Sequence, residues 1–529
     1  MFVMRHTRWH LAGIAGTGIL AVALTAASVA PASAAGGGTR AQGVIENAGA
    51  AGTVPGSYLV ILKESAARST AAAGRAVVKR YGAKIDRTYS AALNGYSVEL
   101  TDAQARRLAA DPAVKSVVQN SLVTADAAPA PQPDQPSWGL DRIDQRVLPL
   151  NQAYDPAGQA GEGVTAYIID TGVRRSHSDF GGRGSDGFDA VDNDNTAQDG
   201  NGHGTHVAAT VAGSLHGVAK KAKIVGVRVL DDSGSGTIAQ VVAGIDWVTA
   251  NAVKPAVANM SLGGRANAAL DTAVRNSIAS GVTYAVAAGN EYTDASTRSP
   301  ARVAEALTVG ATNSSDAKAP FSNYGASLDL FAPGVSITSA WNSDDHASKT
   351  ISGTSMAAPH VAGAAALHLS QHPGSSPAEV AEALTAAATR DVVTDPGSGS
   401  PNRLLYVGDG ATPPQPGARF ENADDYAIAD HSTVESPITV SGITGNAPAS
   451  LRVPVEIRHT WVGDLRVGLV APDGTVYNLR HHTGGSDDDI AQTYRVDATA
   501  VVADGVWKLR VADLATGDTG KIDSWALLF

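Results

Sequence analysis

The chain of 529 residues contains no cysteine. That excludes a disulfide framework, a thiol nucleophile and a thiolate metal site. Positive charge is also in deficit: 40 Lys and Arg against 51 Asp and Glu leave a net charge of −11, with no dense basic run after the N-terminus. A nucleic-acid binder needs such a field, whereas a protein that handles peptide chains does not. Long apolar runs are confined to Leu11–Ala30, and no later segment could span a membrane. That run follows Arg5, His6 and Arg8 and ends at Ala32-Ser33-Ala34, so residues 1–34 read as a secretory signal peptide. The competing reading, an uncleaved anchor, is opposed by the Ala/Gly-rich composition and the small-residue cleavage signature.

What is present is a set of three motifs. Gly353-Thr354-Ser355-Met356-Ala357-Ala358-Pro359-His360 reads as a serine exposed where a tight loop enters a helix. Pro359 would break a helix interior, so the helix must begin close to Thr354, and Ser355 then lies near the positive end of its dipole. A bare hydroxyl attacks carbonyls poorly, and needs a base and a third group to orient that base. Gly200-Asn201-Gly202-His203-Gly204-Thr205-His206 places His203 at a glycine-rich helix start, and Ala166-Tyr167-Ile168-Ile169-Asp170 is an apolar strand ending in an acid. His203 and His206 could instead form a zinc pair. No glutamate stands between them as in a His-Glu-x-x-His site, and the metalloprotease reading falls on that point.

The order Asp170, His203, Ser355 is that of subtilisin. The stretch from Trp138 to Tyr406 resembles the subtilases, most of all the proteinase K and aqualysin branch. The resemblance implies a serine endopeptidase in which Ser355 is the nucleophile, His203 the general base and acid, and Asp170 the residue that orients His203. It also makes Asn290, at the end of Val286-Ala287-Ala288-Gly289-Asn290, the side-chain donor of an oxyanion hole. Ser233-Gly234-Ser235-Gly236 and Ser261-Leu262-Gly263-Gly264 resemble the segments that hold extended substrates, with Ser233, Gly234, Ser261, Leu262 and Gly263 as binding residues. Ala287, Ala288 and Gly289 would wall the pocket before the scissile bond. They are small and uncharged, with no acid placed at the base, so cleavage after apolar or aromatic residues is expected, with broad tolerance. Calcium is implied as a structural ion, held by Asp329 and the carbonyls of Ala304 and Ala306. The rival reading is a surface-binding protein that has kept the fold and lost activity, and the intact Asp170, His203, Asn290 and Ser355 oppose it.

Around this centre, two further domains are expected. After a flexible segment at 35–56, residues 57–125 read as strand, helix, two strands, helix, strand, a ferredoxin-like α+β arrangement. The helix is expected over Ala66–Tyr81, a hairpin over Tyr89–Leu100 with Asn94-Gly95 as its turn, and a capping box at Thr101. Ahead of a subtilase this domain resembles the inhibitory propeptide, an intramolecular inhibitor cut off by the enzyme itself between Thr124 and Pro131. A linker at 126–137 leads to the catalytic domain at 138–408, where strands and helices alternate as in an α/β parallel sheet with helices on both faces. A second linker at 409–417 precedes short alternating strands at 418–529, an all-β domain. His459-Thr460-Trp461-Val462-Gly463-Asp464-Leu465 and Asp518-Thr519-Gly520-Lys521-Ile522-Asp523-Ser524-Trp525 resemble the P or homo B jelly-roll of proprotein convertases. The expected product is a secreted, extracellular monomer acting on proteins and peptides, with no nucleic-acid partner and no membrane attachment once the signal is removed. Because the chain has no thiol, treating the enzyme with iodoacetamide should leave its peptidase rate unchanged.

Overall fold

The structure, a computed structural model, describes residues 42–125, the backbone of 128–129, and residues 137–150, 153, 154, 156, 160–408, 419–443, 445–448, 450–481 and 485–529. The signal segment at 1–34, most of the linker at 126–137 and the linker at 409–417 lie outside the described residues.

The N-terminal domain runs β1 (Thr53–Leu62), α1 (Ala72–Lys79), β2 (Lys84–Tyr89), β3 (Gly95–Glu99), α2 (Asp102–Ala109) and β4 (Val114–Thr124). The strands assemble in the order β2-β3-β1-β4, antiparallel throughout, which is the ferredoxin-like arrangement. The capping box forms as expected between Thr101 and Gln104. Three boundaries differ from expectation. The segment expected to be flexible up to residue 56 is already packed near Ile45, which is buried, and Glu46 bridges to Val118. The helix starts at Ala72 rather than Ala66, because Ser69 is tied into the turn before it, donating from Oγ to Tyr89 O at 2.6 Å. The hairpin joins Lys84–Tyr89 to Gly95–Glu99, so Asn94-Gly95 is not its turn. Its first strand, KIDRTY, is polar at most positions and carries no apolar alternation to betray it.

The central domain begins with β5 (Ala128–Pro129) and α3 (Trp138–Ile143). There follow β6 (Thr165–Asp170), β7 (Gly184–Asp189), α4 (His203–Ala212), β8 (Lys223–Arg228), β9 (Ser235–Thr237), α5 (Ile238–Asn251), β10 (Ala256–Met260) and β11 (Gly264–Arg265). The series continues through α6 (Ala268–Ala279), β12 (Thr283–Ala287), β13 (Arg298–Ser299), β14 (Leu307–Thr312), β15 (Leu330–Pro333), β16 (Ile337–Ala340) and β17 (Ser348–Ser352). It closes with α7 (Thr354–Gln371), α8 (Pro377–Ala387), β18 (Thr389–Arg390) and β19 (Arg403–Leu404). Nine strands form one sheet in the order β18-β19-β15-β14-β12-β10-β6-β8-β7, parallel except for β18. The strands are apolar on both faces because both are covered: Ala166 and Ile168 join a core with Val207, Met356 and Val361, while Tyr167 and Ile169 join one with Val241, Leu270 and Val274.

The C-terminal domain has nine strands: β20 (Arg419–Asn422), β21 (Tyr426–Ile428), β22 (Thr433–Val440), β23 (Leu451–His459), β24 (Leu465–Val470), β25 (Val476–His481), β26 (Ile490–Val496), β27 (Gly505–Asp513) and β28 (Gly520–Leu528). They form two antiparallel sheets, β20-β28-β23-β26 with β21 on β28, and β22-β27-β24-β25. Trp507 and Trp525 are buried between them, and Trp525 Nε1 donates to Ser436 Oγ at 2.8 Å. Among the described residues no helix is long and apolar enough to cross a membrane.

One buried charge pair secures the start of the catalytic domain. Arg142 is fully buried, and its Nε and Nη2 donate to Asp316 Oδ1 and Oδ2 at 2.7 and 3.0 Å, with Nη1 on Gln145 O at 2.6 Å. Removing one partner strands the other charge, so Arg142→Ala should lower stability by about 3–5 kcal/mol. Urea unfolding of the uncleaved Ser355→Ala chain measures this.

Candidate active site

Parallel sheets collect function at the C-terminal ends of their strands. Here β6 and β10 are neighbours in register, with Ile168 opposite Asn259, so Asp170 and Ser261 stand level just beyond that pair. Asp170 is buried, and its Oδ1 meets His203 Nδ1 at 2.7 Å while also accepting Thr171 N at 2.7 Å. On the adjacent strand end, Ser355 Oγ donates to Ser261 O at 3.1 Å. The imidazole and the hydroxyl are thus moored to two strand ends about 5 Å apart.

Each mooring has a local cause. His203 opens α4, preceded by Gly202 at φ 113, a conformation favouring glycine; a Cβ there would also lie 2.3 Å from the Trp341 ring. The turn is held by Asp199, which sequence reasoning missed. Its Oδ1 accepts from Thr171 Oγ1, Asn201 N and Gly202 N at 2.9, 2.9 and 2.8 Å, and its Oδ2 from Thr205 N and Oγ1 at 2.9 and 2.6 Å. Burial raises the Asp199 pKa, and these donors oppose the rise. The signal was present in Asp199-Gly200-Asn201-Gly202-His203, an acid ahead of a glycine turn. His206 takes no part in a metal pair: burial lowers its pKa to about 3, and its Nε2 bonds the Ile337 carbonyl at 3.0 Å.

Helix α7 begins at Thr354 and carries Pro359 inside it. Proline has no N–H, so the helical bond that would end on the Ser355 carbonyl cannot form. Ser261 Oγ supplies the missing donor at 2.7 Å. Ser261, expected to bind substrate, therefore holds Ser355 through both its hydroxyl and its carbonyl. Asn290 is fixed by its Oδ1, which accepts from Thr354 N and Thr354 Oγ1, each at 2.9 Å; Thr354 Oγ1 in turn accepts Gly289 N at 3.1 Å. This sets the amide's orientation beside Ser355, with which Asn290 lines one pocket.

The tail of the N-terminal domain lies in the cleft as an added strand. Leu122, Val123 and Thr124 pair antiparallel with Thr237, Gly236 and Ser235 of β9 on one side. On that side Ala125 N also donates to Gly234 O at 2.9 Å, and on the other side Thr124 and Gly263 exchange N–H to O bonds of 3.4 and 3.3 Å. Gly234 and Gly263 therefore touch the tail, while Ser233 Oγ is turned back onto Asp231 at 2.6 Å. Beyond the nucleophile, Ala128–Pro129 pairs with Ser352 and Ile351 of β17. The pocket beside Ser355 is walled by Leu262, Gly263, Ala287, Ala288 and Gly289 among others. It is not free of charge, as the sequence had suggested: Glu291 and Arg298 also line it.

The three residues expected to bind calcium do not disagree with such an ion. Asp329 Oδ2 accepts Thr308 N at 2.8 Å, just past Ala306, and burial raises the Asp329 pKa to about 6. An acid so desolvated suits a cation partner. Among the described residues no three His, Cys, Asp or Glu side chains converge, so carbonyls would have to complete the set.

A family model described as the subtilase family matches residues 161–412. The chain is 50% identical over 373 residues to an extracellular serine proteinase of a Thermus species, covering 67% of this chain and 90% of that one. The chain belongs to the subtilase family. This subtilase is also 42% identical over 388 residues to a cuticle-degrading serine protease of Arthrobotrys oligospora, covering 69% of this chain and 93% of the relative. The crystal structure of a cold-adapted subtilisin-like serine proteinase, 55% identical, superposes with a TM-score of 0.50 over 52% of this chain and 99% of that one. The flanking domains match family models for peptidase inhibitor I9 at 57–126 and the proprotein convertase P-domain at 448–529. The protein is accordingly a serine endopeptidase made with an inhibitory propeptide and carrying a P domain.

In subtilisin, loss of the amide corresponding to Asn290 costs roughly 100- to 1,000-fold in turnover. Asn290→Ala should lower kcat by a similar factor and change KM far less, in steady-state hydrolysis of a chromogenic peptide.

Proposed function

We propose that this subtilase is secreted as a zymogen and cuts its own propeptide from the catalytic domain, with Ser355 as nucleophile, His203 as general base and then acid, and Asp170 orienting the imidazole. Asn290 and the Ser355 backbone N–H receive the negative oxygen of the tetrahedral intermediate. The observation that carries the reading is the placement of the chain itself, paired with the cleft at 122–125 on one side of Ser355 and at 128–129 on the other. His203 Nδ1 is committed to Asp170, so Nε2 is the nitrogen that takes the hydroxyl proton and later passes it to the leaving amine. For that transfer the Ser355 hydroxyl turns away from the Ser261 carbonyl. Secretion is supported by the signal-like N-terminus and by relatives named as extracellular.

The Ala and Gly walls of the pocket support cleavage after apolar or aromatic residues. Backbone pairing on both rims supports broad tolerance elsewhere, because main-chain bonds carry no side-chain information. A peptide-library digest should show this, and strict cleavage after Arg or Lys would contradict it. Autoprocessing has its own test. Purified Ser355→Ala should remain a single uncut chain on prolonged incubation, while the unmodified enzyme yields a new N-terminus between residues 124 and 131.

We also propose calcium at Asp329 with the Ala304 and Ala306 carbonyls. Without a cation, the folded Asp329 carboxyl has a pKa near 6, above its unfolded value, so the ionised form costs stability and that cost grows as pH rises through about 6. Bound calcium offsets it. Added calcium should therefore raise the thermal midpoint above pH 6, with the gain fading as pH falls below 6, and Asp329→Asn should abolish the response in scanning calorimetry.

A further inference from the structure

The pocket beside Ser355 carries an ion pair among its small apolar walls, and the pair's two members are not equally engaged. Glu291 is clamped: Oε2 accepts Asn323 Nδ2 at 2.9 Å, its backbone N donates to Asn323 Oδ1 at 3.1 Å, and Oε1 faces Arg298 Nη1 at 3.2 Å. Asn323 is itself fully buried and also bonds the Ala288 carbonyl at 2.8 Å, so the carboxylate is built into the wall. A Cβ on Gly289 would lie 2.8 Å from Glu291 Oε2, which places the acid directly behind that wall residue. Arg298 differs. Its backbone is fixed by pairing with Arg265, its side chain is 25% exposed, and Glu291 is the one hydrogen-bond or ion-pair partner of that side chain among the described residues. A guanidinium has five N–H donors in a planar fork, so most of its capacity is left over after Glu291, in a residue that lines the pocket.

We infer that Arg298 is a specificity-determining residue that lets this pocket take a carboxylate-tipped P1 side chain, which Ala and Gly walls alone would refuse. Glu291 keeps its charge, but its repulsion of an acid and its attraction for a cation are both offset by the Arg298 guanidinium it faces, whose remaining N–H groups can still donate. An incoming ammonium gains little from such a carboxylate and meets the Arg298 charge.

The inference rests on the proposed protease function, and extends its apolar preference to acids. The test is a set of peptides sharing residues P4 to P2 and differing only at P1, as Asp, Phe or Lys, assayed for kcat/KM with the mature enzyme and with Arg298→Gln. The unmodified enzyme should cut after Asp faster than after Lys. Charge-assisted hydrogen bonds of the usual strength predict that Arg298→Gln lowers the Asp-to-Phe ratio roughly 10- to 100-fold. Glu291→Gln, which releases the guanidinium, should raise that ratio, and it keeps the test alive if Arg298→Gln fails to fold. An Asp-to-Phe ratio unchanged in both variants, or no cleavage after Asp by the unmodified enzyme, would overturn the inference and leave the pair a surface salt bridge. Failure of the underlying protease reading would look different: no peptide cut whatever its P1 residue, which would remove this inference with it.

Discussion

Two neighbouring parallel strands, held in register, do most to place the reactive groups. Because Ile168 lies opposite Asn259, the chain delivers Asp170 and Ser261 to the same edge of the sheet, one strand spacing apart. Asp170 then fixes His203, and Ser261 fixes Ser355 through both its hydroxyl and its carbonyl. A slip of one residue would turn either side chain to the opposite face, where helices α5 and α6 pack, and the site would not assemble. Burial of the strands on both faces is what forbids the slip.

The proline in helix α7 gains a meaning from the same geometry. By withholding an N–H, Pro359 leaves the Ser355 carbonyl to be claimed by Ser261 from the sheet. Ser355 is thereby tied to a strand as well as to its helix, and its position depends less on how that helix frays. Asp199 plays the corresponding part for the base, gathering five donors around the turn into α4. Both supports use buried polar groups with their partners in place, the condition under which such groups rigidify a site.

The propeptide turns this rigid site upon itself. Its tail forms a strand between β9 and Gly263, while its body packs on α5 and α6: Asp246 accepts the backbone N–H groups of Ser90, Ala91 and Ala92 at 2.6 to 3.1 Å, and Tyr89 Oη donates to Ala239 O at 3.0 Å. The tail is thus held in the cleft by main-chain pairing. Much of this was legible in the sequence. Asp170 ends an apolar run and His203 and Ser355 follow glycine-containing turns, and periodicity found the parallel strands because they are buried on both faces. Lys84–Tyr89 escaped because most of its side chains are polar or exposed, and the pairing of Glu291 with Arg298 escaped because it is made by the loop between them, which leaves no periodic trace. Asp199 was visible as a residue but not as a hub, since five hydrogen bonds from a folded turn leave no periodic trace.

The central claim is that the Ser355 hydroxyl is activated by His203 as that imidazole is held by Asp170. Labelling with a serine-directed fluorophosphonate, read by intact mass and peptide mapping of the mature enzyme, tests it most directly. A single adduct on Ser355, formed at a rate that falls steeply in His203→Ala, is the predicted result. Labelling spread over other serines, or an equal rate on Ser355 without His203, would contradict the account.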